Sequence, residues 1–352
     1  MAMIKTKNMF ANVYMTSMTK LPLRTTLLVI VLLIGGTTVA QKRSELLRTR
    51  IDSLLDKNYN KVNFDTAYIG RPKTNLTLKA RASVAGSNLY IREKSNGERT
   101  KADLETSHTV KLSLGANYKG LAAAISLNPT RLSGKNNDFE FNLNYYSNRF
   151  CVEMGYQMSK TMAGDVSRGD KSGHLDRGSL KTKLLNITGY YVFNNKRFSF
   201  PAAFSQTYIQ KRSAGSWLVG VSYQGGTLKT TDKALENIED IPVTRFYVGH
   251  FGIGGGYAYN LVLHRKWLLH LSTMPTIVIG DYNNITYDGE KYKVHGNFPE
   301  LIFNERAAVV YNMGANKFAG LSLNMNNLVL GHGHNRSYQS KWLSRVFFGI
   351  RL

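Results

Sequence analysis

Stretches of roughly ten residues in which every second side chain is apolar recur along this chain, and no other feature restricts its fold as much. Phe139, Phe141, Leu143 and Tyr145 alternate with Glu140, Asn142 and Asn144. Phe150, Val152, Met154, Tyr156 and Met158 alternate with Cys151, Glu153, Gly155 and Gln157. The same rhythm runs through Leu76–Val84, Val110–Ala116 and Leu321–Met325, and closes the chain with Val346, Phe348, Ile350 and Leu352 against Arg345, Phe347, Gly349 and Arg351. Successive side chains of a strand point to opposite faces, so each stretch has one greasy and one polar face.

A soluble sandwich alternates too, and it is the competing fold. Three features favour an antiparallel transmembrane β-barrel. The stretches are as long as a tilted membrane strand. Aromatic residues such as Tyr118, Tyr145, Phe150, Tyr191, Phe193, Tyr257, Tyr259 and Tyr311 crowd their ends, as in an interfacial girdle. The chain also ends inside an amphipathic strand. The alternation predicts about twelve strands, over 74–86, 105–118, 121–128, 138–147, 149–159, 182–193, 215–226, 245–259, 266–281, 300–313, 318–329 and 341–352. Their connections alternate between long and short, with Ser87–Leu104, Lys160–Lys181 and Tyr282–Pro299 long, and Lys119–Gly120, Asn148 and Gly314–Lys317 short. Short turns belong on the periplasmic side, which puts both barrel termini there. Residues 194–214 break the alternation. They stand where a short turn belongs, and Pro201 argues against a central strand. They either add two short strands or fold into or across the periplasmic mouth.

Residues 1–40 read as a cleaved signal peptide: Lys20 and Arg24, then Leu27–Ile34, then Thr38-Val39-Ala40 before Gln41. An ordinary signal begins at Met18, so Met15 or Met18 is the expected start; an uncut N-terminal anchor is the alternative. A periplasmic segment follows over 41–65, with Leu46, Leu47, Ile51, Leu54 and Leu55 at helical spacing, and the barrel occupies 66–352. Lys and Arg number 46 against 23 Asp and Glu. In an exported Gram-negative protein, such a balance points to anionic lipid and lipopolysaccharide as partners rather than nucleic acid. A single cysteine, Cys151, excludes a disulfide framework.

Few motifs carry chemistry. Gly252, Gly254, Gly255 and Gly256 are followed by more strand, not by the helix a phosphate loop requires, so they read as a barrel bend. His332 and His334 lie one residue apart in an expected outer loop and lack a third metal ligand nearby. His250 or His270 with Ser222 or Ser272 is the weak catalytic candidate, a Ser–His pair for lipid hydrolysis, although both histidines fall on the polar, lumenal phase. Lys79, Arg81, Lys111, Arg306, Arg345 and Arg351 fall on polar faces. They form either a plug of paired charges or a basic passage favouring anions, and the narrowness of such a barrel favours a mostly filled lumen.

The runs DTAYIGRPKTNLTLKAR (Asp65–Arg81), SLNPTRLSGKNNDFEFNLNYYSNRF (Ser126–Phe150) and FPAAFSQTYIQKRSAGSW (Phe200–Trp217) resemble an uncharacterised exported family of Bacteroides-type bacteria, domain of unknown function 4421. The resemblance implies a barrel-like exported protein from about Asp65 to Leu352 and carries over no catalytic residue. The expected role is therefore an integral outer-membrane barrel without catalysis, serving structure, surface interaction or narrow solute passage. The alternatives are a phospholipase-like lipid hydrolase and a periplasmic sandwich binding acidic polymers. No cofactor or metal is expected. The terminal strand is expected to engage the barrel-insertion machinery, and the oligomeric state is left open.

Overall fold

Extended backbone turns an alternating sequence into a two-faced ribbon, and the ribbons must then find partners for their backbone N–H and C=O groups. The computed structural model describes residues 62–352 apart from 96–97, 119–120, 130–137, 232–242, 288, 295–299 and 333–334, together with positions 49 and 53. The chain divides into Met1–Val62 and Asn63–Leu352. In the first unit Thr49 and Ser53 are helical and exposed; the expected signal segment and the rest of the expected helix lie outside the described residues.

In chain order the strands are β1 (Ile69–Gly70), β2 (Leu76–Ser95), β3 (Glu98–Glu105), β4 (Thr109–Tyr118), β5 (Leu121–Leu127), β6 (Phe139–Tyr146), β7 (Phe150–Ser159), β8 (Ala163–Arg168), β9 (Lys171–Leu175) and β10 (Leu180–Val192). A short helix α1 (Phe200–Phe204) and β11 (Ile209–Gln210) follow. The second half holds β12 (Ala214–Thr230), β13 (Val243–Leu263), β14 (Trp267–Asp281), β15 (Asn283–Tyr287), β16 (Glu290–Val294), β17 (Leu301–Met313), β18 (Lys317–His332) and β19 (Asn335–Arg351).

Apart from the small β1–β11 pair, the strands share one 17-stranded sheet. Antiparallel ladders run β7–β10–β12–β13–β14–β17–β18–β19–β2–β4. The last strand is laddered to the first long one from Thr77↔Arg351 to Arg92↔Arg336. Farther out β3 joins β2 to β8. Because β8 follows β7 after only Lys160–Met162, that ladder brings the curled sheet round on itself.

The greasy faces look outward. Along β14 exposure and burial alternate from Trp267 to Ile279, with Leu271 69% exposed and its neighbours His270 and Ser272 buried. On the far side Leu114 is 71% exposed. The polar faces meet across an enclosed interior: Thr188 Oγ1 of β10 donates to Asn304 Oδ1 of β17 at 3.2 Å, and Gln224 Nε2 of β12 to Gln339 Oε1 of β19 at 3.3 Å. None of these strand pairs are sheet neighbours. A sandwich would press its greasy faces together; this is a barrel. The glycine run lies where β13 crowds β14, next to a register shift between Phe251 and Gly252. A Cβ on Gly254 would lie 2.2 Å from the carbonyl oxygen of Pro275, and one on Gly256 2.0 Å from that of Thr273, so only glycine lets β13 approach β14 this closely.

The strand count needs correction. Each of the twelve expected stretches falls on a strand, but the expected long connections 87–104, 160–181 and 282–299 also contain strand, as β2 with β3, β8 with β9, and β15 with β16. These hairpins are rich in charge, with segments such as ERTKADLE and EKYKV. In the first two, sparse apolar residues turn inward and cluster, Ala102 and Leu104 with Met162, Leu175 and Leu180, so the alternation that betrays the rest is thin there.

Candidate functional site: the plugged lumen

The segment 194–214 folds inward. Pro201 sits in the first turn of α1, where its missing N–H costs nothing. The helix presents Phe200 and Phe204 to the lumen. Phe200 lies 5.1 Å from the Tyr190 ring and 4.8 Å from that of His270, and Phe204 5.8 Å from Tyr146. Behind α1, β11 pairs with β1. The segment is not a strand pair of the wall; it is a plug in the mouth on the side of the short turns.

Three buried clamps hold it. Gln210 Nε2 donates to the carbonyls of Arg197 (2.6 Å) and Arg212 (3.0 Å), while its Oε1 accepts from Ser199 N and Asn260 Nδ2. Arg351 donates to Gln206 O at 3.2 Å, Ala315 O at 3.0 Å and Asn312 Oδ1 at 3.0 Å. Lys79 donates to Phe204 O at 3.4 Å and to Gln206 Oε1. Gln206 itself is fully buried with φ of 57°, a left-handed conformation that a non-glycine residue keeps only under constraint.

Two of the four catalytic candidates are brought together. His270 and Ser272 face inward on β14, with Nε2 and Oγ 3.0 Å apart, and His270 Nδ1 lies 2.7 Å from Asn260 Oδ1. Asn260 Nδ2 donates to Ser199 O and Gln210 Oε1, so its oxygen is left to accept from Nδ1–H. That fixes the tautomer: Nε2 carries the lone pair and accepts from Ser272. The chain has the form of a nucleophile, base and orienting amide, yet all three residues are buried beneath the plug's phenylalanines. The other two are not joined. Ser222 Oγ accepts from Asn304 Nδ2 at 2.8 Å, and His250 lies 3.7 Å from Glu300, beyond hydrogen-bond range. His332 ends β18, His334 lies outside the described residues, and among the described residues no group of three metal-ligating side chains occurs.

Mid-lumen, Arg306 bridges the interior. Its Nε donates to Glu153 Oε2 at 2.9 Å and Nη2 adds a second bond to the same oxygen. Its remaining donors go to Glu305 O, Met325 O and Asn326 Oδ1. Glu153 also accepts from Tyr146 (2.7 Å) and Tyr190 (3.3 Å). Lys111 pairs with Glu140 at 2.7 Å. Beside this bridge lies a cavity of ≈ 430 Å³ whose lining includes Lys79, Arg81, Lys111, Arg345, Phe204 and Phe347. All six basic residues expected in the lumen therefore face it. Lys341 also faces it and was missed, although it stands in phase with Arg345 and Arg351. Cys151 is buried facing the plug's aromatic cluster.

A curled antiparallel sheet, greasy outside and charged inside with a plug in one mouth, is a β-barrel of the membrane type. The chain belongs to the family described as "Domain of unknown function (DUF4421)", whose model matches residues 63–350. No curated protein matches it. Among solved structures it is similar to the outer-membrane protein OprG of Pseudomonas aeruginosa (11% identity, 80% of this chain and 97% of that one, TM-score 0.27). It is also similar to the outer-membrane protease OmpT of Escherichia coli (8%, 80% and 97%, TM-score 0.40). The translocator domain of the autotransporter NalP from Neisseria meningitidis is a third (11%, 89% and 97%, TM-score 0.32).

Proposed function

We propose that this protein is an exported, integral outer-membrane barrel, closed at rest, that gives narrow passage to small solutes when its plug moves, with no catalytic role. The outward greasy band supports the membrane reading. Aromatic pairs gather at its short-turn end: Trp267 with Tyr311 (4.5 Å), Trp217 with Tyr257 (5.1 Å) and Phe150 with Tyr191 (5.2 Å). Tyr338 and Phe348 mark the two edges of that band on β19, a span of about 25 Å for a tilted strand. The short turns and both barrel ends share one side, where Leu352 N donates to Leu76 O at 2.7 Å, and this side is read as periplasmic. Residues 1–40 supply export, the terminal strand engages the insertion machinery, and the charged outer hairpins face lipopolysaccharide.

The observation that carries the closed, gated reading is the plug, held by hydrogen bonds rather than by the wall's own ladders. Losing Asn260 and Arg351 together removes about 3 kcal/mol of that hold, which raises an open population roughly a hundredfold. In planar bilayers the purified wild type is expected to be silent and the Asn260→Ala/Arg351→Ala variant to show stepwise currents. A steady wild-type current would overturn the closed reading, and silence of the folded double variant would overturn passage.

The Ser272–His270–Asn260 chain favours one second reading, a lipid hydrolase uncovered by the same plug movement. Its test is acyl release from phospholipid vesicles by the plug-loosened Arg351→Ala variant. Release abolished by adding Ser272→Ala supports it, and no release removes it.

A further inference from the structure

The lumen holds more positive charge than its carboxylates answer. Glu153 is taken by Arg306, and Glu140 by Lys111 and Asn142. Among the described residues Lys79 meets no carboxylate: it donates to two neutral oxygens and lies over the Phe318 and Phe347 rings. Lys341 is 5% exposed, and its Nζ has no hydrogen-bond acceptor among the described residues. It points across the lumen, because a Cβ on Gly155 of β7 would come 3.4 Å from that nitrogen. The Nε of Arg81 is likewise buried without an acceptor. Arg81 and Arg345 lie diagonally on paired strands, since Ser83 opposes Arg345 and Arg81 opposes Phe347. Like charges at such positions repel, and a buried donor without an acceptor costs free energy. Both penalties fall together: Arg81 and Arg345 line the ≈ 430 Å³ cavity, and Lys341 lines the small pocket adjoining it, which shares Arg345, Asn142 and Asn144 with it. That volume lies in the range of ligand sites. Its floor is aromatic, with Phe204, Phe347 and Tyr146, and its flank carries the neutral amides Asn142 and Asn144.

We propose that this cavity binds a small organic anion, its carboxylate or phosphate group held by Arg81, Arg345 and Lys341 and its apolar part resting on Phe204 and Phe347. Arginine offers a planar fork that matches either group, and lysine adds a point charge. The proposal deepens the passage reading by naming the solute class and rests on the same inward-facing lumen, but binding is measurable on the closed barrel whether or not the plug ever opens.

The test is calorimetric titration of the full-length protein, folded in non-ionic detergent, with hexanoate, hexyl phosphate, inorganic phosphate and hexylammonium. Hexanoate or hexyl phosphate is expected to bind, and the stronger of the two identifies the head group. Inorganic phosphate is expected to bind more weakly for want of the aromatic floor, and hexylammonium not at all. Arg345→Gln and Lys341→Met are each expected to lower the affinity about tenfold or more, while Lys183→Gln on the outer surface leaves it unchanged. Arg345→Gln relieves repulsion and Lys341→Met removes a buried ammonium that has no acceptor among the described residues, so their thermal midpoints without ligand should equal or exceed the wild type, which separates lost binding from lost folding. Equal binding of hexylammonium, absence of anion binding, or undiminished affinity in both lumen variants would overturn the site. None of these outcomes bears on the conductance test, so either proposal can fail alone.

Discussion

Glu153→Ala is expected to destabilise the barrel by about 3–5 kcal/mol, the usual cost of stranding one member of a buried ion pair. Arg306 would keep its three neutral acceptors but lose the one carboxylate bonded to it among the described residues, and the hydroxyls of Tyr146 and Tyr190 would lose their shared acceptor. Removing both charges is a different matter. A Glu153→Met/Arg306→Met variant leaves no uncompensated ion and should recover most of the loss, with the two tyrosines accounting for the remainder. Urea titration in detergent, read by the electrophoretic shift between folded and unfolded barrel, measures both. A single variant within about 1 kcal/mol of the wild type would show that the bridge is wet and weak, and that the lumen is not the closed interior described.

That pair also marks the limit of what the sequence discloses. Inward facing follows from a period of two, so Glu153 and Arg306 could each be assigned to the lumen from their neighbours alone. Which inward residues touch is set by barrel curvature, and these two stand 153 residues apart in the chain. The same division holds elsewhere. The segment 267–281 is legible because exposure alternates residue by residue. Residues 194–214 are recognisable as an anomaly through Pro201, but whether such a segment turns in or out depends on an aromatic seat built from β6, β10 and β14. Asn260, the orienting amide, reads in the sequence as the residue after the expected strand 245–259, whereas β13 runs on through Leu261, Val262 and Leu263. Lys341 was within reach: counting back by twos from Arg345 passes Leu343 and arrives at it. The charged hairpins 87–104, 160–181 and 282–299 were not, because charged and polar residues outnumber the few apolar ones that mark a face, as with Ala102 and Leu104 in ERTKADLE.

The outward facing of the greasy band has its own test, in which depth rather than exposure decides the result. Leu271 and Ile279 are both exposed on β14, at 69% and 60%. If water bathed this face, an arginine at either place would be nearly neutral, within about 0.5 kcal/mol. In a bilayer the two differ. Leu271 lies between the Trp267–Tyr311 pair and the outer edge, where hydrocarbon surrounds it. Ile279 stands beside the strand's end at Asp281, within reach of the interface. Leu271→Arg is therefore expected to cost about 2–4 kcal/mol in lipid and Ile279→Arg about 0–1 kcal/mol. Folding the two variants into phosphatidylcholine vesicles and comparing their urea midpoints reads the difference directly. Equal, small effects would place this face in water and remove the membrane reading, whereas the gradient would tie the alternation in the sequence to the solvent that demands it.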